Sequence, residues 1–206
     1  MIRTDGPERR RPVSVALLSA ALAGPAAAAG VTLDPCFTDH MVLQCDRPMR
    51  ISGIAEAGAA VTVEFKGQRT TATADADGGW AVALDPLPAD REAAVLTARS
   101  VSRAGETSAV KIGNVLVGEV WICSGQSNMR MTVQKGPGCI GDGVLNADAE
   151  VAAAQYREIR LVSGRAGGWQ VCAPETVATF SAAAYFFGRE LHRQLQVPVG
   201  LVEGSI

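Results

Sequence analysis

Val115-Leu-Val-Gly-Glu-Val-Trp-Ile-Cys-Ser-Gly-Gln-Ser-Asn-Met129 is a near-continuous apolar run that stops at small residues. Val115 to Cys123 reads as a buried strand, because an apolar stretch of this length bounded by turn residues suits a sheet covered on both faces. The run breaks at Ser124-Gly125 and presents a second serine, Ser127, just past the turn. Strand-to-helix junctions of this kind are where α/β enzymes mount nucleophiles, and amides at a helix start can hold an oxyanion there. The segment is not a G-x-S-x-G elbow, since Asn128 and Met129 follow Ser127. Ser127 is therefore the first candidate nucleophile, with Gln126 and Asn128 as candidates for positioning substrate or capping the turn. The bland reading of Ser127 is a helix N-cap, a position that favours serine for its hydroxyl.

Around this strand the chain changes character. Residues 31 to about 112 read as all-β. Val61–Phe65 and Arg69–Thr73 flank a short connection at Lys66-Gly67-Gln68. Asp75-Ala-Asp-Gly-Gly79 turns into Trp80–Leu84, with further strands expected over 94–102 and 107–112. Short strands at regular spacing point to a small β-sandwich. Trp80 reads as a core residue, with carbohydrate stacking as the alternative.

From Gly113 the pattern becomes α/β. Glu158–Val162 reads as a second strand, and Ser181 as the N-cap of a helix reaching about Leu195, with Ala184, Phe187, Leu191 and Leu195 on one face. Val197–Val202 gives a third strand. Strand, crossover and strand imply a parallel, helix-flanked sheet. The connection over roughly 130–156 is rich in glycine and small residues, and reads either as a substrate-facing loop or as a surface insertion.

Gly125-Gln126-Ser127-Asn128-Met129 and its strand resemble the serine segment of SGNH-type carbohydrate esterases, specifically the sialate O-acetylesterase-like family. Further blocks carry the likeness: Phe37-Thr-Asp-His-Met-Val-Leu-Gln44, Gly53 to Gly58, Ala74 to Trp80, Trp169 to Thr176, and Phe180 to Leu191. Together they cover roughly residues 35 to 202. The resemblance implies an α/β protein in which an N-terminal β-sandwich-like domain, 30–112, precedes an incomplete SGNH-hydrolase-like parallel-sheet domain, 113–206. It implies acyl transfer, with Ser127 attacking an acetyl ester on a carbohydrate, and no cofactor.

The same resemblance implies a histidine base and an aspartate in a D-x-x-H motif, and neither of the two histidines lies in one. His40 falls in the β segment and His192 mid-helix between Leu191 and Arg193. Glu203-Gly204-Ser205-Ile206 departs from the glycine-rich segment that the family carries after this strand. The expectation is therefore a truncated, inactive form of a sugar O-acetylesterase. The alternative is a non-catalytic carbohydrate-binding or interaction module. A sheet cut after Val202 is expected to leave a bare parallel edge and a poorly stable α/β portion, beside a β domain able to fold alone.

Composition narrows the partners. A net charge of −2 argues against nucleic-acid binding. Residues 1–29 carry four arginines against Asp5 and Glu8, a net +2, which leaves −4 on the remainder. Arg9-Arg10-Arg11, the apolar Val13–Leu22 and Ala27-Ala28-Ala29 read as a signal peptide, implying a secreted or periplasmic protein with no membrane association after cleavage. Export permits disulfides, yet the cysteines number five. Cys123 and Cys172 read as buried thiols, Cys36 and Cys45 as a candidate pair, and Cys139 as a loop residue. No cysteine or histidine spacing suits zinc, so no metal site is expected.

Overall fold

The computed structural model describes residues 30–164 and 167–205; the signal-peptide expectation concerns residues outside these. The first elements are β1 (Thr32–Leu33), β2 (Val42–Gln44), β3 (Met49–Ile54), β4 (Ala60–Phe65), β5 (Gln68–Thr73) and β6 (Gly79–Leu84). Two long strands follow, β7 (Asp90–Val101) and β8 (Thr107–Cys123). Then come α1 (Ser127–Arg130), α2 (Ala147–Ala153), β9 (Tyr156–Ser163), β10 (Gln170–Cys172), α3 (Pro174–Val177), α4 (Ala182–Leu195) and β11 (Val199–Glu203).

Alternation explains the early strands. In β3 and β6 every second side chain is buried, putting Met49, Ile51, Trp80, Val82 and Leu84 in the core. Lys66 and Gly67, with φ of 44° and 80°, make a two-residue turn between β4 and β5, so Phe65 faces Gln68 across the hairpin. Both turn residues need positive φ, which a connection of this twist demands. Gln68 thus belongs to β5, one residue earlier than the sequence pattern suggests.

Two sheets result. One is three-stranded, in the order β1-β3-β6. The other runs β10-β9-β11-β8-β7-β4-β5, with β2 also paired to β8. It is mixed: β11 lies parallel to both β8 and β9, while β7, β4, β5 and β10 join antiparallel. Ile51, Trp80 and Leu84 from the small sheet share one core with Val61, Phe65, Leu96 and Val117 from the large one. A second core, around Tyr185, Ile159, Leu161, Val199 and Leu201, lies under α4.

Three expectations need correction. The strands expected over 107–112 and 115–123 are one 17-residue strand, β8. Asn114 sits in it at φ 55°, and the register against β7 slips between Asp90, Ala94 and Leu96; a bulge bends the strand and lets it continue. The compositional change at Gly113 therefore falls inside a strand shared by both halves. Second, β11 is no bare edge, because it lies between β8 and β9, and β10 covers the far side of β9. Third, the buried face of α4 is Ala182, Ala184, Tyr185 and Gly188, whereas Phe187 and Leu195 are 42% and 51% exposed. Gly188 causes that rotation: a Cβ there would lie 2.4 Å from a Leu201 methyl, so the helix seats its glycine on β11.

Candidate functional site

Ser127 follows the carboxyl end of β8, at the edge of the sheet where open α/β folds bind ligands. Cys123 is buried and closes the strand. Its carbonyl accepts from Gly204 N–H at 3.0 Å, and the Ser124 hydroxyl donates to Gly204 O at 3.1 Å. Ser124 thus ties the ends of β8 and β11 together, as a turn residue does. The parallel register sets Cys123, Glu203 and Ser163 in one row across β8, β11 and β9.

After this row the chain makes one helical turn. Gln126 occupies the N-cap position and makes no side-chain cap, and Ser127 is the first helical residue. The N-cap reading of Ser127 is thereby corrected. Gln126, Ser127 and Asn128 are all solvent-exposed. Among the described residues, the Ser127 hydroxyl and the backbone N–H groups of Ser127 and Asn128 have no hydrogen-bond partner, as expected of a helical first turn. The turn is held from below. Ser181 Oγ donates to Met129 O at 2.5 Å and accepts from Ala184 N–H at 3.2 Å, so it caps α4 while gripping α1.

Neither histidine reaches Ser127. α4 begins beside Met129 and runs back along the sheet, which places His192 about 15 Å further along the helix. There its Nδ1 lies 2.7 Å from Val197 O, and its Nε2 lies 3.9 Å from Glu158, a carboxylate also paired with Arg91 at 3.0 Å. His40 adopts φ 68°, and its Nδ1 lies 2.8 Å from the Asn114 amide. Arg160, only 3% exposed, donates to His40 O at 3.1 Å and to Asn114 Oδ1 at 3.0 Å. Burial holds the Arg160 guanidinium below its usual range, partly offset by Glu158. These three residues staple β9 to the bulge of β8. Sequence reading missed the staple, because no motif joins positions 74 and 120 residues apart.

The 130–156 connection is packed at its start and exposed over much of the rest. Thr132 and Val133 are buried, Val133 N–H donates to Phe180 O, and Gln134 N–H donates to Ala178 O. It also contains α2. The cysteines are free, including the expected pair. Cys45 is buried in the core with Sγ 3.4 Å from Glu119 Oε1, while Cys36 is exposed. Burial, then the Glu119 contact, pushes the Cys45 thiol up to about 12, and burial does the same for Cys172. Trp80 is 4% exposed within the core, so it offers no stacking face. Among the described residues no group of three or more potential metal ligands is close enough to hold an ion.

No family model matches the chain. The sialate O-acetylesterase of Rattus norvegicus is 30% identical over 95% of this chain, and that of Homo sapiens 30% identical over 75% of it. A crystal structure of a carbohydrate acetylesterase from Xanthomonas citri matches 85% of the chain with a TM-score of 0.72 and 30% identity. The chain belongs to the sialate O-acetylesterase-like family. It spans 39% and 33% of the two curated relatives and 40% of the Xanthomonas citri enzyme. Identity near 30% over almost the whole chain sets the Gly125–Met129 turn within a sialate O-acetylesterase-like sequence, not an isolated motif.

Proposed function

We propose that this chain is the nucleophile-bearing part of an exported carbohydrate O-acetylesterase, in which Ser127 forms the acyl-enzyme. The observation that carries this is an exposed, uncapped serine at the carboxyl end of β8, within a chain 30% identical to sialate O-acetylesterases. In this reading residues 30–112 form the β-sandwich-like unit and residues 113–206 the first part of an SGNH-type esterase domain, joined through β8. Residues 1–29 act as the signal peptide.

The step assigned to Ser127 is attack of Oγ on the acetyl carbonyl, with its proton passing to a base and the oxyanion held by backbone N–H groups. Those of Ser127 and Asn128 are the nearest unpaired ones. The sugar oxygen then leaves with a proton, and water releases acetate from the acyl-enzyme. Gln126 and Asn128, exposed on either side, are positioned to orient the sugar. The 206-residue chain by itself lacks a histidine within reach of Ser127, and we therefore expect no serine-dependent turnover from it.

The test is hydrolysis of p-nitrophenyl acetate by two forms, the chain itself and a form extended to the length of the relatives. Extension should restore turnover, and Ser127→Ala should then lower kcat by about 10³-fold or more. Turnover of the extended form that survives Ser127→Ala would remove Ser127 from the mechanism.

A further inference from the structure

Helix α1 is a single turn of four residues, Ser127–Arg130, none of them fully buried. A helix this short does not hold its shape unaided, because closing a first turn fixes several dihedrals for one hydrogen bond. Its internal bonds run from Arg130 N–H to Gln126 O at 3.2 Å and from Met131 N–H to Ser127 O at 3.1 Å. Carbonyls at the end of a helix find no helical donor. That of Met129 takes the Ser181 hydroxyl instead, at 2.5 Å and across 52 residues of sequence.

Ser181 is itself well anchored. It is 3% exposed and caps α4, a helix of 14 residues seated on β11 through Gly188. The chain after α1 is laced to the chain around Ser181 by backbone, from Ala182 N–H to Met131 O at 2.8 Å and from Val133 N–H to Phe180 O at 3.1 Å. Residues 127–130 lack such lacing. Among the described residues, the bond from Ser181 is the hydrogen bond that ties them to another element.

We propose that Ser181 is a positioning residue of the esterase: its hydroxyl fixes the serine turn against α4, and so aims Ser127 Oγ and the N–H groups of Ser127 and Asn128. This rests on the reading of Ser127 as the nucleophile and names the group that orients it. The hydroxyl has two roles, and they differ chemically. Toward Ala184 N–H, at 3.2 Å, its oxygen accepts, which is all that an N-cap requires. Toward Met129 O it gives its proton, and only a side-chain donor can do that. A nucleophile displaced by about 1 Å reacts up to about 10²-fold more slowly.

Glycine is a fair N-cap and alanine a poor one, so the two substitutions separate the cap from the grip. Stopped-flow release of p-nitrophenol from the acetate ester, by the form extended to the length of the relatives, gives the acylation rate constant and the substrate dissociation constant separately. Ser181→Gly and Ser181→Ala should both slow acylation by roughly 10- to 100-fold, with the dissociation constant unchanged. Ser181→Ala alone should also unfold at clearly lower denaturant. In the 206-residue chain, amide exchange reads the grip without turnover. Ser181→Gly should speed exchange at Met131, whose N–H closes the turn, by about tenfold, and leave the amides of β9 and β11 unaltered. Full-rate acylation in Ser181→Gly, a loss that lies in substrate binding, or unchanged exchange at Met131 would overturn the positioning role while Ser127 keeps its own. Turnover that survives Ser127→Ala would instead remove the nucleophile that Ser181 aims, and the positioning role with it.

Discussion

At the scale of single residues, the buried thiols separate sharply from the accessible one. Cys45 and Cys172, both pushed up to about 12 by burial, hold their protons in the folded state well above the usual thiol value of 9.0. A raised folded-state pKa contributes stability fully below pH 9, which is lost as pH rises toward 12 because the unfolded chain ionises first. We expect stability to fall by on the order of 1 kcal/mol per pH unit per thiol in that window. Alkaline denaturation of Cys172→Ala beside the unaltered chain checks it; equal slopes would refute it. A thiol reagent should modify exposed Cys36 in the folded chain, slowed by the upward shift that burial and Asp34 give its thiol, and Cys45 and Cys172 only after unfolding. Trp80 belongs to the same scale. Trp80→Ala should cost about 3–5 kcal/mol through the cavity it leaves, seen as a lower denaturant midpoint.

At the scale of elements, the bulge of β8 and its staple join what the composition divides. Arg160 supplies donors to His40 O in a turn, to Asn114 Oδ1 at the bulge of β8 and to Arg157 O near the start of β9. Arg160→Met would keep the bulk and strand these acceptors, so we expect a loss of about 3 kcal/mol, from one to three per buried acceptor left partly unpaired. Equilibrium unfolding measures it, and an unchanged midpoint would mean water replaces the guanidinium. Gly118 marks a second constraint in the same strand. A Cβ there would lie 2.1 Å from Pro198 O, which is backbone and can yield only by shifting the chain that leads into β11. Gly118→Ala should therefore push β11 away from β8, at a cost of about 1–3 kcal/mol.

At the scale of the molecule, β8 runs through both halves of the chain. Val115 and Val117 are 0% exposed in the core that also holds β3, β4 and β6. A chain ending at residue 112 would lose both, so the expectation that 30–112 folds alone gives way to a different one. Limited proteolysis should yield a single resistant fragment carrying residues on both sides of Gly113, and mass spectrometry of the fragments would decide. The carboxyl end of β8 is also sparsely covered. Ile122 is 77% exposed, Trp121 43% and Phe187 42%, with the two aromatic rings stacked edge-to-face at 5.2 Å. Ile122, on the strand face opposite Trp121, is left largely open to water, and an apolar side chain so exposed favours association. Ile122→Lys should reduce self-association in sedimentation velocity without lowering thermal stability.

What the sequence by itself determined was local and periodic. The β3–β6 alternation, the β8 run into Ser127, the Ser181 cap and the parallel strands around α4 all follow from side-chain periods of two and 3.6 and from turn chemistry. Family membership likewise rests on contiguous blocks. Tertiary structure alone decided the continuity of β8, the rotation of α4 onto Gly188, the Arg160 staple and the grip of Ser181 on Met129. Each depends on contacts between residues far apart in the chain, such as Gly188 with Leu201 or Arg160 with His40. A local pattern states which residues avoid water; it does not state which partner they meet, because packing selects that among all the surfaces the fold brings together.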